Sequence, residues 1–303
     1  MMGGLLTDIH FRFDLMADQN PNQVLPSATP TTASTRDRVT GMDIRIDRAG
    51  IGPPVVFLNG LLGLNSHWFP CLPYLIHDHE CLLLQPPLLE MKGKGCSVDG
   101  VVQLTLSILE TLIDRPAVFV GNSLGGHVAL RIALQRPDVV RGLVLVGSSG
   151  LFERTFEKDV QHSPSREWLE RKIEELFCDP SLMPPGTVDM AYAELSRRSA
   201  ARSLVRLARS AKRDHLGEDL PKVFAPVLLV WGRQDVVTPP AVAEEFHSKL
   251  PNSRLAWIEN CGHAPQIERP REFGQVTARF LATLAGAVPF SVTEDGEGQQ
   301  EVA

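Results

Sequence analysis

Nearly all-apolar short runs recur along the chain: "PVVFLNG", "ECLLLQ", "AVFVGNS", "GLVLVGS" and "VLLVWGR", with "MDIRIDRA" before them and "RLAWIE" after. Runs of this kind are expected of strands in a parallel sheet covered on both faces. Between them the apolar spacing becomes helical, over residues 66–77, 98–113, 124–135, 240–250 and 272–284. Alternation of strands and helices predicts an α/β fold, a mostly parallel central sheet flanked by helices. One stretch breaks the rhythm. From 151 to 220 no strand pattern appears, and "SREWLERKIEELF" and "VDMAYAELSRRSAARSLVRLARSAKR" read as helices, so a helical cap inserted between two core strands is predicted there.

The organisation that follows is a core of residues 41–150 and 221–286, the cap of 151–220, a flexible leader of 1–40 and a disordered acidic tail of 287–303. The leader reading rests on "QNPNQVLPSATPTTASTR", rich in Pro, Ser, Thr and Asn, and the tail reading on "SVTEDGEGQQEVA". The chain has 303 residues, 43% hydrophobic and 22% charged, enough for a substantial core. A net charge of −6 gives no general attraction to nucleic acid or to an anionic membrane surface, so neither is expected as a partner. No apolar run is long enough for a membrane span, and the N-terminus lacks a basic segment followed by an apolar one. The five cysteines are odd in number and show no C-x-x-C, which fits reduced, buried thiols in a cytoplasmic protein, a monomer or homodimer. No metal and no cofactor is implied.

Candidate chemistry begins at "FVGNSLGGHVAL", where Ser123 lies in G-x-S-x-G between a strand-like run and a helix-like one. The glycines allow a turn too tight for bulky side chains, and a serine on that corner projects its hydroxyl past the sheet with a helix N-terminus behind it. A structural Gly-rich turn is the plainer alternative. A serine hydroxyl is a poor nucleophile at neutral pH and needs a base, which in turn needs an orienting carboxylate. Of nine histidines, His77 and His79 suit a solvated helix end, His127 a packed position on the helix after the serine, and His67 an open lining role. His263 differs. It follows the last strand in "WIENCGHAPQIERP", on a turn freed by Gly262 and stiffened by Pro265, where a base can reach Ser123. For the acid, Asp235 sits just past a buried strand in "VLLVWGRQDVVTPP", whereas the preceding strand ends in Gly147-Ser148-Ser149-Gly150 with no acid.

The order Ser123, Asp235, His263, carried by "GNSLGG", "GRQDVVTPP" and "NCGHAPQIERP", resembles the α/β-hydrolase fold superfamily. The resemblance runs from about Met42 to Leu284 and is nearest to the cap-bearing serine hydrolases: small esterases, C–C bond hydrolases and cofactor-free haloperoxidases. It implies a catalytic Ser123–Asp235–His263 triad, with the backbone N–H groups of Leu61 and Leu124 as the oxyanion hole. Two departures stand out. The family usually has His-Gly where this chain has Asn59-Gly60, which suggests that Asn59 organises the loop in its place. Where members carry an Asp after the next strand, this chain has Gln85, Pro86 and Pro87, and Glu90 reads as a solvated loop charge.

By these motifs Asn59, Leu62, Trp68, Asn122, Val236 and Ala264 line the pocket beside the triad, together with Leu64 and Val237. The apolar majority favours a small, mainly apolar substrate. The expected activity is hydrolysis of a carboxylic ester through an acyl-enzyme. C–C hydrolysis of a ring-fission product, 2-hydroxy-6-oxo-dienoate-like, is the alternative within enzymes, and a non-catalytic binding protein the alternative outside them. Arg202, Arg206, Arg209 and Arg213 share one helix face, either solvated or reaching a substrate carboxylate.

Overall fold

A computed structural model of the chain describes residues 29–37, 40–152 and 164–286. Eight strands form one sheet in the order β1-β2-β4-β3-β5-β6-β7-β8. They are β1 (Thr31–Arg36), β2 (Asp43–Ala49), β3 (Pro54–Leu58), β4 (Glu80–Gln85), β5 (Ala117–Asn122), β6 (Val140–Val146), β7 (Val227–Gly232) and β8 (Ser253–Ile258). β1 and β2 run antiparallel to their neighbours, and all other pairs are parallel.

The all-apolar strands follow from burial on both faces. On one face Val56, Leu82, Phe119, Leu143 and Leu229 pack under α1 (Val98–Leu112), α2 (Leu124–Gln135) and α6 (Pro240–Lys249). Alternate residues Phe57, Leu83, Val120, Val144 and Val230 face the opposite way, with Phe273 of α8 (Pro270–Leu284). Period-two alternation with two covers confines polar residues such as Glu80, Gln85, Asn122 and Arg141 to the strand ends. Between β6 and β7 the chain forms α3 (Arg166–Glu174), α4 (Thr187–Leu195) and α5 (Arg198–Arg213). Among the described residues no helix is long and apolar enough to cross a membrane.

Three local expectations are corrected. Thr31–Arg36, assigned to a flexible leader, is the edge strand β1, paired with β2 from Thr31↔Arg48 to Arg36↔Asp43. Its Ser/Thr content reflects an edge exposed to solvent, where β-branched threonine suits a strand. Residues 1–28 and 38–39 of the leader and the tail from 287 lie outside the described residues. The helix expected over 66–77 is a run of 3₁₀ turns, Asn65–Tyr74, because Pro70 and Pro73 lack the N–H that an α-helix needs. The long helix expected over 188–213 breaks at Ser196, whose hydroxyl donates to the Tyr192 carbonyl (2.7 Å) and closes α4 before α5 begins.

Candidate active site

The carboxyl ends of the parallel strands converge where ligands bind in open α/β sheets. β5 delivers Ser123 there. Its backbone has φ 53° and ψ −118°, a strained conformation for a residue with a side chain. The turn is held by the Ser123 N–H donating to the Val146 carbonyl (3.0 Å), while the Ser123 carbonyl accepts from the N–H groups of Gly126 (3.0 Å), His127 (3.2 Å) and Ser149 (3.2 Å). The flanking glycines are needed for close approach. A Cβ on Gly125 would lie 2.1 Å from the Leu58 carbonyl oxygen, and one on Gly121 would lie 2.4 Å from the Gly125 carbonyl.

His263 follows β8 and is buried. Its Nδ1 lies 2.8 Å from Oδ2 of Asp235, which is also buried, on the turn after β7. Asp235 Oδ1 accepts from the N–H groups of Val237 (2.8 Å) and Thr238 (2.9 Å), and the Thr238 hydroxyl donates to Oδ2 (2.9 Å). Asp235 therefore shapes its own turn as well as receiving the imidazole. Such a carboxylate accepts only, so the ring carries its proton on Nδ1 and presents Nε2 to the other side.

Ser123 and His263 both line a cavity of about 780 Å³. Asn59, Leu61, Leu62, Asn122, Leu124 and Ala264 line it too, as do helices α3, α4 and α5 through residues such as Trp168, Ala191 and Val205. Asn122 Nδ2 donates to the carbonyls of Val146 (3.0 Å) and His263 (3.1 Å), tying the residue before the serine to the histidine loop. Leu124 opens α2, whose first N–H groups have no partner within the helix, and the Leu61 N–H has none among the described residues. Both are free to meet a developing negative oxygen.

Two pocket residues expected from the sequence are elsewhere. Trp68 is 1% exposed and packs between Phe57 and Phe273 under the sheet, with its Nε1–H on Asn59 Oδ1 (2.7 Å). Val236 is 42% exposed and does not line the cavity, whereas Val237 does. Of the four arginines that share one face of α5, Arg209 lines the cavity while Arg202, Arg206 and Arg213 do not. Glu90, exposed at the end of the 3₁₀ turn Leu88–Glu90, is among the residues lining the cavity.

Burial holds the His67 imidazole, another lining residue, below its ordinary pKa, and its Nδ1 accepts from the Leu64 N–H (3.2 Å). His127 is buried in α2 as expected and bonds Asp214 through Nε2 (3.0 Å). Among the described residues no group of three His, Cys, Asp or Glu side chains is placed to hold a metal ion.

Two supporting residues escaped sequence reasoning. Gly147, at φ 48°, is in contact with the His263–Asp235 pair: a Cβ there would lie 3.0 Å from His263 Nδ1 and 3.2 Å from Asp235 Oδ2. Glu268, on the short helix α7 (Pro265–Glu268), is buried and accepts from the N–H groups of Gly262 (2.7 Å) and Cys178 (2.8 Å). The His263 N–H donates to the Leu176 carbonyl (2.7 Å), so the β6–β7 insertion is bonded directly to the histidine loop. The only sequence signal for Glu268 is its place in "NCGHAPQIERP".

A model of the alpha/beta hydrolase family matches residues 55–276. The pimeloyl-[acyl-carrier protein] methyl ester esterase of Nitrosomonas europaea is 32% identical over 246 residues, 76% of this chain and 96% of that protein. The 2-hydroxy-6-oxo-6-(2'-aminophenyl)hexa-2,4-dienoic acid hydrolase of Metapseudomonas resinovorans is 25% identical over 264 residues, 81% of this chain and 89% of that one. Among solved structures, MGS-MChE2, an alpha/beta hydrolase enzyme from the metagenome of sediments of the Mar Chica lagoon, matches with a TM-score of 0.65 and 30% identity, covering 79% of this chain and 95% of that one.

Proposed function

Because this chain belongs to the alpha/beta hydrolase family, we propose that it is a serine hydrolase that cleaves a carboxylic ester of a mainly apolar small molecule through an acyl-enzyme. The observation that carries this reading is the buried His263–Asp235 pair, 2.8 Å apart, whose ring borders the same cavity as Ser123 on its strained corner. A binding protein has no need of a hydroxyl, an imidazole and a carboxylate supplied in that order by three separate loops.

In the proposed reaction Ser123 Oγ attacks the ester carbonyl carbon as its proton passes to His263 Nε2. The carbonyl electron pair moves onto oxygen, held by the N–H groups of Leu61 and Leu124, each such donor being worth about 10²–10³ in rate. Asp235 stabilises the imidazolium that forms. Collapse expels the alkoxide, which takes the proton from His263, and leaves the acyl-serine. Water then attacks as His263 takes its proton, and the acid departs as Ser123 recovers its hydrogen. These groups complete the reaction without a metal or cofactor. The helices α3–α5 act as a cap that shields it from bulk water.

The name of the Nitrosomonas europaea relative supports an ester. The second reading, C–C hydrolysis of a ring-fission product, draws on Arg209 at the cavity wall, a cation for a substrate carboxylate, and on the name of the Metapseudomonas resinovorans relative. A fluorophosphonate probe tests the common step. Wild type labels and hydrolyses short p-nitrophenyl esters, while Ser123→Ala does neither, with a loss of about 10⁴-fold or more. No labelling, or labelling that survives Ser123→Ala, rejects the reading in favour of a binder. Faster turnover of a chromogenic ring-fission product than of any ester, with Arg209→Gln raising its KM alone, favours the second chemistry.

A further inference from the structure

Two of the residues at which this chain departs from the family pattern, Asn59 and Gln85, meet at a third residue. Asn65 is 1% exposed, at the start of the 3₁₀ run that follows the Gly60–Leu64 turn. Its Oδ1 accepts from Asn59 Nδ2 (2.8 Å), and its backbone N–H donates to Gln85 Oε1 (2.9 Å). Its Nδ2 donates to Asp47 Oδ2 (2.8 Å) and to the Leu83 carbonyl (2.8 Å). Asn59 completes its own set with the Leu84 carbonyl (3.1 Å) and the Trp68 indole N–H (2.7 Å).

Both amides are fully satisfied, and their orientation is fixed by chemistry: an indole N–H can only donate and a carboxylate can only accept. Asp47, buried on β2, anchors the far end and also accepts from Arg45 (3.0 Å) and the Thr32 hydroxyl. Burial raises the Asp47 carboxyl, but the hydrogen bonds from Arg45, Thr32 and Asn65 outweigh it and hold the group below its ordinary pKa, so it stays a pure acceptor. The loop between these anchors is closed on itself, Gly63 N–H to Gly60 carbonyl (3.1 Å) and Leu64 N–H to His67 Nδ1 (3.2 Å). The Leu61 N–H, beside the cavity, is left over.

We propose that Asn59, Asn65 and Gln85, anchored on Asp47, form one positioning network that fixes the Gly60–Leu64 turn so that the Leu61 N–H meets the transition-state oxyanion. Asn59 and Gln85 then act through one shared residue, Asn65. This rests on the serine hydrolase reading. A buried network of this kind has one arrangement, and leaving any buried member unpartnered costs about 1–3 kcal/mol. Rigidity is what an oxyanion donor requires, since it must be in place before the charge develops. The three side chains touch no reacting atom. Their effect is confined to the transition state, where Leu61 acts.

The test uses Gln85→Met, at a half-buried site, and Asn59→Ala, each checked for a cooperative urea transition before kinetics. With a short p-nitrophenyl ester both are expected to lower kcat by about 10–100-fold with KM within about twofold, a fraction of the full loss of one donor. Affinity for a boronic acid, which mimics the tetrahedral intermediate, should fall by the same factor as kcat/KM. Gln85→Glu, which restores an acceptor for the Asn65 N–H, should recover kcat to within threefold of wild type. Hydrogen exchange at the Asn65 amide should quicken in Gln85→Met and be slow again in Gln85→Glu. An unchanged kcat, a loss that appears in KM alone, or failure of Gln85→Glu to recover overturns the proposal. Wild type that neither hydrolyses esters nor labels with fluorophosphonate overturns the serine hydrolase reading instead.

Discussion

Nδ1 of His263 and Oδ2 of Asp235 are 2.8 Å apart although 28 residues separate them, with both side chains buried at the ends of neighbouring parallel strands. Burial strengthens the hydrogen bond and fixes the tautomer. Asp235→Asn keeps the shape of the turn, because an amide oxygen still accepts from Val237 and Thr238, but its NH₂ group cannot accept from Nδ1–H. The expected outcome in steady-state kinetics is a fall in kcat of about 10³–10⁴ with KM nearly unchanged and the unfolding midpoint close to wild type.

Gly147 lies against that pair at φ 48°. Gly147→Ala adds a Cβ at 3.0 Å from His263 Nδ1 in a backbone conformation that disfavours any side chain, so either the imidazole or the turn must shift. A loss of about 1–3 kcal/mol in urea unfolding is expected, with kcat down at least tenfold.

Glu268 joins the histidine loop to the insertion through the N–H groups of Gly262 and Cys178. Glu268→Ala leaves the buried Gly262 N–H and the part-buried Cys178 N–H unpaired and opens a small void. It should destabilise the protein by about 3–5 kcal/mol and lower kcat. Glu268→Gln, whose single amide oxygen still accepts from one of these N–H groups, should cost less than Glu268→Ala in the same denaturant titration.

Acid sensitivity should centre on Asp214, at the end of α5. Burial raises its carboxyl, but hydrogen bonds from His127 and Arg131 outweigh that and hold it well below the ordinary value of 3.8. The unfolded state therefore binds the proton more readily, and this contribution is complete above about pH 4 and is lost as the pH falls towards the folded pKa. Urea midpoints measured from pH 7 down to pH 2.5 should drop below pH 4 in wild type. In Asp214→Asn the midpoint should be lower at pH 7 and the acid limb shallower.

The alternation of strands and helices, the helical insertion between β6 and β7 and the candidate residues Ser123, Asp235 and His263 are legible in the chain, because each is encoded locally. Apolar runs mark strands buried on both faces, and glycine, proline and a single polar side chain mark each sharp loop at a strand end. Polarity misled where burial is partial, as at Thr31–Arg36, whose threonines face solvent from a paired edge rather than from a free leader. It takes the folded molecule to show that Trp68 is core rather than pocket, that Gly147 lies against His263 and Glu268 holds its loop, and that Asn59 and Gln85 share Asn65. Those relationships are hydrogen bonds and contacts between residues far apart in the chain, and no local pattern constrains them, since their energy exists only once the sheet has brought the loops together.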